Sequence, residues 1–168
     1  MRLNKQFYQQ DVITVARSLL GATLVRQFRD GEQLRLTLNE VEAYNGEEDL
    51  GCHASKGRTP RTEVMYLNGG HVYVYLIYGM YWLLNVVTGP ADHPQAVLIR
   101  ESKEISGPGR IGKALQLDKT FYGEDLVSSQ RLWIEKSNIN SVKIKESPRI
   151  GIDYAGNYWS KIPWRFTI

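Results

Sequence analysis

The chain has 168 residues, of which 42% are apolar and 23% are charged, a composition typical of one soluble globular domain over residues 1–168. The net charge of +3 permits an anionic partner without requiring one, and a single cysteine, Cys52, excludes an internal disulfide and favours a reducing, cytoplasmic compartment. The N-terminus lacks the core of a signal peptide and no apolar run approaches the ~20 residues of a membrane helix, so we expect no membrane partner.

The first predicted elements are a short helix and a β-hairpin. Residues 11–20 place apolar side chains on one face at helical spacing, and Asp11 can cap the start of the helix. The segments 22–28 and 33–38 follow as two strands. The pair Asp30-Gly31 between them is typical of a hairpin turn.

Carboxylates continue the inward-facing side of the second hairpin strand. Residues 34, 36 and 38 are leucines that alternate inward, and the same parity reaches Glu40, Glu42 and Tyr44. A buried carboxylate must be hydrogen-bonded, paired or shifted in pKa, so Glu42 is a candidate general base at the end of a strand. The alternative is that the strand bulges or ends before Glu42 and leaves this side chain in solvent.

Residues 45–70 are rich in glycine and charge, and a loop of this length in a compact domain is often functional. Its acidic residues lie close to Cys52 and His53, but their spacing matches no zinc template. A hydrated acidic loop is the favoured interpretation. A carboxylate magnesium site, as in a nuclease, is the alternative.

Two basic segments are candidates for contact with phosphates. The loop 55–61 carries Lys56, Arg58 and Arg61 among small residues, and these side chains either lie along phosphates or face solvent. The glycine-rich turn before residue 110 could present Arg110 and Lys113 to a phosphate, although it has neither the P-loop nor the dinucleotide-binding spacing.

Residues 71–88 predict an aromatic hairpin with a tight bend or bulge at Gly79. Tyr73 and Tyr75 share one parity, whereas Tyr78 has the other and directly precedes the bend. Tyrosine suits strands, so sheet packing explains most of these rings. Stacking on nucleobases is the functional alternative, and the basic loops on both sides of the hairpin favour it.

The remaining elements complete an α+β pattern of mainly antiparallel strands with a few short helices. Residues 95–101 predict a strand, and residues 106–117 predict a loop that enters a helix near Pro108. The C-terminal part is predicted to be rich in strands, and its four candidate segments are 131–136, 142–146, 148–153 and 163–168.

Taken in order, several segments resemble the methylpurine (3-methyladenine, alkyladenine) DNA glycosylase family. They are EAYNGEEDLGCHASKGRTPR, YVYLIYGMYWLLNV, AVLIRE, SGPGRIGKALQLD, PRIGI and PWRF, which lie between about residue 12 and the C-terminus. The resemblance implies a monomeric, monofunctional enzyme without metal or other cofactor. It implies cleavage of the N-glycosidic bond of damaged purines in double-stranded DNA, and a hairpin that projects toward that DNA.

The resemblance also implies a role for individual residues. Glu42 falls on the glutamate that activates water, and Arg100 on the arginine that orients this glutamate and the water. The residues that fall on the walls of the pocket for the extruded base are Tyr44, His53 and Tyr75. Asn85 falls on the asparagine that crowds the exocyclic amine of normal guanine, and Tyr78 on the tyrosine that fills the gap in the duplex. The cations expected along the DNA backbone are Arg58, Arg61, Arg110 and Lys113.

The sequence departs from the family pattern in two places. Only ESKEIS separates Arg100 from Gly107, where relatives usually have a longer arm, so contacts with DNA are expected to differ there. The sequence also stops soon after PWRF, where relatives usually continue into a tail whose carbonyl helps to hold the water. If this tail is absent, the water site must be completed in another way, or activity is weak. A metal-dependent nuclease and a non-catalytic nucleic-acid-binding module are the alternative functions.

Overall fold

The protein is built on an eight-stranded antiparallel sheet, described by a computed structural model that covers residues 1–168. The strands are β1 Thr23–Gln27, β2 Gln33–Asn45, β3 Val72–Ile77, β4 Tyr81–Val87, β5 Gln95–Ser102, β6 Leu132–Glu135, β7 Lys145–Ser147 and β8 Arg165–Thr167. Their order is β3-β4-β5-β2-β1-β6, and β8 lies between β2 and β7. The long strand β2 therefore contacts β5 along one edge and both β1 and β8 along the other.

Four short α-helices surround the sheet: α1 Lys5–Tyr8, α2 Val12–Leu19, α3 Pro108–Ala114 and α4 Gly156–Lys161. Single 3-10 turns occur at His53–Lys56, Glu63–Tyr66, Lys119–Phe121 and Asp153–Ala155. The predicted α+β class, with mainly antiparallel strands and few short helices, is confirmed. None of the helices is both long and apolar enough to cross a bilayer.

The N-terminal predictions are confirmed in detail. The Asp11 side chain accepts a hydrogen bond from the Thr14 N–H at 3.0 Å, which satisfies one of the free donors at the start of α2. The strands β1 and β2 form the predicted hairpin. Apolar residues of α2 pack on the sheet together with Leu36 and Leu38, whereas Leu34 is only partly buried.

The central strands carry the main core on one face and a polar cavity on the other, because their side chains alternate between the two faces. One face of β2 to β5 places small and branched apolar residues, such as Val41, Val72 and Val97, in the main core beneath α2 and α3. The opposite face carries tyrosines, a glutamate and an arginine. Because side chains alternate along a strand, the residues that build the core also fix the positions of the polar ones.

Helix α3 lies unusually close to β4, and a glycine makes this possible. A Cβ atom on Gly112 would lie only 1.9 Å from the main-chain oxygen of Trp82. Ile111 and Leu115 are buried as predicted, while Ala114 is only half-buried. The close contact brings Pro108, at the first turn of α3, to the rim of the site.

The prediction of a strand over residues 148–153 is wrong. This segment is a loop that leads into a 3-10 turn and α4, which the sequence pattern did not indicate. The backbone cannot stay extended because Gly151 has φ +75, and the Ile150 N–H donates to a side chain instead of a neighbouring strand. Of residues 142–146, only the last two enter β7.

Candidate active site

A cavity of about 360 Å³ opens on the polar face of the sheet, within the size range of ~300–1,000 Å³ typical of small-molecule sites. Its floor consists of alternate residues from four neighbouring strands: Glu42 and Tyr44 of β2, Tyr73, Tyr75 and Ile77 of β3, Leu83 and Asn85 of β4, and Ala96, Leu98 and Arg100 of β5. The remaining wall comes from residues 51–53 and 150–154, with Met65, Tyr78 and Pro108.

Glu42 is completely buried at the base of this cavity and is held by donors on both carboxylate oxygens. Its Oε1 accepts a hydrogen bond from the Tyr44 hydroxyl at 2.9 Å, and its Oε2 accepts one from the Ile150 N–H at 2.6 Å. The Arg100 Nη1 lies 3.6 Å from Oε1. A carboxylate has about four acceptor positions, so Glu42 keeps the capacity to accept a proton from a further donor in the cavity.

The ionisation of Glu42 is a balance between burial and its partners. Burial raises the pKa of the carboxyl above its usual value, while Arg100, the Ile150 N–H, Tyr44 and Arg149 all act to lower it. The net shift is upward. A carboxylate with a raised pKa is a stronger base than one in water, which is the property that a general base needs.

The strand alternation that predicted Glu42 does not hold through the middle of β2. Leu36 and Leu38 lie in the main core with Val41 and Ala43, so the inward parity switches before Glu42, which points to the opposite face and into the cavity. The pairing of β2 with β5 shifts twice between Leu38 and Val41, so the strand does contain the irregularity considered as an alternative. Glu40 pairs with Glu101 and Val41 with Ile99, which leaves Arg100 as an extra residue on β5. Arg100 nevertheless points into the cavity together with Ala96 and Leu98, the alternate residues before it on β5.

A fully buried ion pair fixes the wall next to Glu42. The Arg149 guanidinium donates to both oxygens of Asp49 at 2.6 and 2.8 Å, and neither side chain is exposed. Asp49 also accepts the N–H groups of Asn45 and Gly51. Because Arg149 precedes Ile150, this pair anchors the main chain that donates to Glu42.

The same guanidinium supports Tyr44 and the end of β2. Arg149 Nη1 donates to the Ala43 carbonyl at 3.0 Å, and its Cζ lies 4.8 Å from the centre of the Tyr44 ring. Burial, followed by the charge of Glu42, raises the pKa of Tyr44 well above its ordinary value, so the phenol stays protonated and donates to Glu42.

The opposite wall is an aromatic cluster around His53. Its Nδ1 lies 2.7 Å from the Tyr73 hydroxyl, and its ring meets the Tyr75 ring edge-on with centroids 4.5 Å apart. Burial, and then the positive charge of Arg61, lower the pKa of His53 to about 4. His53 is therefore a neutral imidazole at physiological pH. Burial also raises the pKa of the neighbouring Tyr75 to about 12, so its phenol stays protonated.

Asn85 lies on the cavity floor and is almost fully buried. Its Nδ2 donates to the Tyr73 carbonyl at 3.2 Å, across the β3–β4 pair in which these two residues are opposite each other. This bond fixes the plane of the amide, so Asn85 presents a rigid polar edge to anything that enters.

Tyr78 stands at the tip of the β3–β4 hairpin, where its side chain is 88% exposed. Its φ of 49 and that of 62 at Gly79 place both residues in the left-handed region, and the Met80 N–H closes the turn by donating to the Ile77 carbonyl. A left-handed conformation is rare for a bulky residue. Tyr78 thus projects from the protein beside the mouth of the cavity, and the turn after β3 sets its direction.

The four cations predicted to follow DNA are all exposed, but they differ in their contacts. Arg58 is already paired with Glu63 and Asp92 and lies over the Tyr66 ring. The Arg61 Cζ lies 5.3 Å from the centre of the Tyr75 ring, directly behind the cavity wall. Arg110 and Lys113 project from α3.

The acidic loop is only partly the hydrated segment that the sequence favoured, because Glu47 and Glu48 are exposed whereas Asp49 is fully buried. Asp49 is buried against Arg149, and Glu47 accepts a hydrogen bond from the Tyr66 hydroxyl at 2.6 Å. Burial raises the pKa of the Cys52 thiol to about 12. In residues 1–168 no three His, Cys, Asp or Glu side chains lie close enough together to hold a metal ion.

Sequence reasoning missed several residues of the site. Tyr73 was assigned to packing, although it shares the parity of Tyr75 and lines the cavity. No pattern in the sequence indicates that Arg149 belongs to the site, because its partner Asp49 lies 100 residues away. Tyr154, with its hydroxyl 3.2 Å from the Gly51 carbonyl, was also missed, because it lies just after the segment that was predicted to be a strand.

Comparison with known proteins gives consistent matches over the whole chain. The model of the methylpurine-DNA glycosylase family matches residues 6–105 and 100–168, and these two stretches meet at the short segment after Arg100. A protein of Natranaerobius thermophilus is 41% identical over 191 residues, covering 100% of this chain and 96% of its own length.

Two further relatives are similarly close. A protein of Methanocella arvoryzae is 44% identical over 184 residues, covering 98% of this chain and 90% of its own length. A protein of Legionella pneumophila strain Corby is 42% identical over 175 residues, covering 99% of this chain and 94% of its own length. All three relatives carry the name "Putative 3-methyladenine DNA glycosylase".

Proposed function

The chain belongs to the methylpurine-DNA glycosylase family, and we propose that it is a monofunctional base-excision repair enzyme acting on damaged purines in duplex DNA. Its substrates are alkylated or deaminated purines of the 3-methyladenine, 7-methylguanine and hypoxanthine class. The observation that carries this proposal is the fully buried Glu42 carboxylate at the base of an aromatic cavity.

The target bond is inaccessible inside a stacked duplex, so the nucleotide must first leave the helix at a cost of a few kcal/mol. The exposed ring of Tyr78, on a rigid two-residue bend, enters the space that the nucleotide vacates. Arg61, Arg110 and Lys113 contact phosphates on either side. Arg58 contributes less because two carboxylates already neutralise it.

The extruded base enters between Tyr44, His53 and Tyr75. A methylated purine carries a positive charge, and electron-rich rings attract such a cation. Neutral His53 adds no repulsion, because its low pKa keeps it uncharged at physiological pH. Asn85, with its amide plane fixed by the Tyr73 carbonyl, crowds the exocyclic amine of normal guanine.

The chemical step is the attack of water on the anomeric carbon. Glu42 accepts a proton from the water while the new C–O bond forms, and the C–N bond breaks with its electron pair passing to the base. The anionic carboxylate also stabilises the positive charge that develops on the sugar. A cationic methylated base leaves as a neutral molecule and needs no acid, whereas hypoxanthine must acquire a proton as it leaves.

One assay separates this function from its alternatives. Duplex DNA containing 7-methylguanine or hypoxanthine is incubated with the protein in EDTA, and released bases are separated by chromatography. We expect free damaged base and an abasic strand that breaks only after treatment with alkali. Direct strand cleavage that EDTA abolishes would identify a metal-dependent nuclease, and tight binding without any released base would identify a binding module.

A further inference from the structure

Arg100 is anchored by a carboxylate other than Glu42. Its Nε donates to Glu40 Oε1 at 3.0 Å, which is a good hydrogen bond, whereas its Nη1 lies 3.6 Å from Glu42 Oε1. The second distance is too long for a hydrogen bond and makes this contact electrostatic. The position of the guanidinium beside Glu42 therefore depends on its bond to Glu40.

The backbone alone does not fix Arg100. The backbone places its side chain on the cavity face of β5 with Ala96 and Leu98, but it does not set the direction of the long guanidinium arm. A long arginine side chain at such a position has several accessible rotamers. The bond from Nε to Glu40 selects the rotamer that points into the cavity.

Glu40 is itself held from the last strand. It is nearly buried, and its Oε2 lies 3.4 Å from Arg165 Nη1 and 3.3 Å from Thr167 Oγ1, both on β8. Arg165 in turn donates to the Pro148 carbonyl at 2.9 Å, next to the segment that supplies the Ile150 N–H. A continuous polar chain thus leads from β8 through Glu40 to Arg100.

We infer that Glu40 is a positioning residue, which holds the Arg100 guanidinium beside Glu42 and moderates its charge without touching the substrate. This inference rests on the proposed role of Glu42 as the base that activates water. It assigns a function to the first glutamate of the Glu-Val-Glu-Ala-Tyr segment, which lies on the same face of β2 as Glu42 and Tyr44.

Two substitutions of Glu40 are expected to act in opposite directions. Glu42 faces Tyr44 on its own strand, Tyr75 on β3, Arg100 on β5 and Arg149 on the loop before α4. Glu40→Gln keeps an oxygen acceptor for the Arg100 Nε but removes a negative charge, so the positive charge of Arg100 favours the ionised form of Glu42 more strongly. Glu40→Ala removes both the anchor and the charge, so Arg100 can move away from Glu42.

The experiment measures single-turnover release of hypoxanthine or 7-methylguanine from duplex DNA between pH 4 and pH 9. The rate of release falls on the acid side of the pH profile, and we call this fall the acid limb. For Glu40→Gln we expect the acid limb to move to lower pH, with little change in the plateau rate. For Glu40→Ala we expect the acid limb to move to higher pH and the plateau to fall about 10²-fold, as for a misplaced catalytic group. The matched control is Glu101→Gln, because Glu101 lies opposite Glu40 but bonds to Ser106.

Thermal unfolding and binding to the lesion duplex are measured for every variant. The inference is wrong if the acid limb stays where it is in Glu40→Gln and Glu40→Ala, if both variants move it in the same direction, or if Glu101→Gln moves it as far as Glu40→Gln does. If Glu40→Ala does not fold, the shift of the acid limb in Glu40→Gln alone decides whether the inference holds. Wild-type protein that releases no base would refute the proposed function and this inference together, whereas active wild-type protein with unshifted Glu40 variants would refute only the inference.

Discussion

At the scale of single residues, the site depends on how a buried carboxylate is kept available as a base. Burial alone would leave Glu42 protonated, because a charged group is poorly solvated in the protein interior. Two hydrogen-bond donors and two guanidinium groups oppose this effect. The balance explains why Tyr44, Arg100, Arg149 and the Ile150 main chain converge on one side chain.

The raised pKa of Glu42 predicts a pH-dependent gain in stability for Glu42→Gln. In wild type the folded state holds this proton more tightly than the unfolded state, whose carboxyl has a pKa of about 4.3. The free energy of unfolding contributed by Glu42 therefore falls as pH rises through the window above 4.3. Denaturant unfolding of both proteins across this window should show Glu42→Gln gaining stability relative to wild type as pH rises. A difference that stays constant or falls would contradict the raised pKa.

The Asp49–Arg149 pair predicts a large loss of stability when one partner is removed. Arg149→Met leaves the Asp49 carboxylate buried without its cation, which typically costs about 3–5 kcal/mol. The control is Arg17→Met, because Arg17 pairs with Glu146 at the surface, where such pairs contribute about 0–1 kcal/mol. Chemical denaturation gives both values. A loss from Arg149→Met no larger than that from Arg17→Met would show that the pair does not stabilise the site.

At the scale of secondary structure, alternation along the strands was the most informative feature of the sequence. Leu36 and Leu38 identify the core face of β2, but the irregularity between Leu38 and Val41 turns Glu42 to the opposite face, so its position in the cavity does not follow from their parity. Along the aromatic hairpin, alternation places Tyr73, Tyr75 and Ile77 in the cavity, whereas the separate role of Tyr78 rests on the family resemblance. Alternation fails for the loop at residues 148–153, because Arg149 is drawn inward by Asp49, and no local pattern indicates a partner 100 residues away.

The left-handed backbone of Tyr78 predicts that binding and stability respond differently to its substitution. Tyr78→Gly removes the exposed ring, and glycine adopts a φ of 49 without strain. This variant should therefore be at least as stable as Tyr78→Ala, because the left-handed conformation costs an alanine roughly 1–2 kcal/mol. Both variants should bind lesion duplex more weakly than wild type. Thermal unfolding and fluorescence anisotropy test the two parts, and wild-type affinity in both variants would refute the wedge role of Tyr78.

At the scale of the whole molecule, the sheet brings together groups from distant parts of the chain. The strands β2, β3, β4 and β5 supply the floor of the cavity, while the loop after β2 and the loop before α4 supply its walls. Composition and the order of elements were sufficient to predict the α+β class and the antiparallel strands. They could not predict the Glu40–Arg100 contact, because it depends on a bulge that shifts the register of two strands.

The role of Glu42 in activating water is tested most directly by comparing cleavage with binding in one variant. Single-turnover release of hypoxanthine or 7-methylguanine from duplex DNA is measured for wild type and Glu42→Gln, alongside the affinity of each protein for the same duplex. We predict that Glu42→Gln retains binding to the lesion but releases base at least ~10²-fold more slowly, because the proton acceptor is lost. Base release by Glu42→Gln at the wild-type rate would contradict this mechanism.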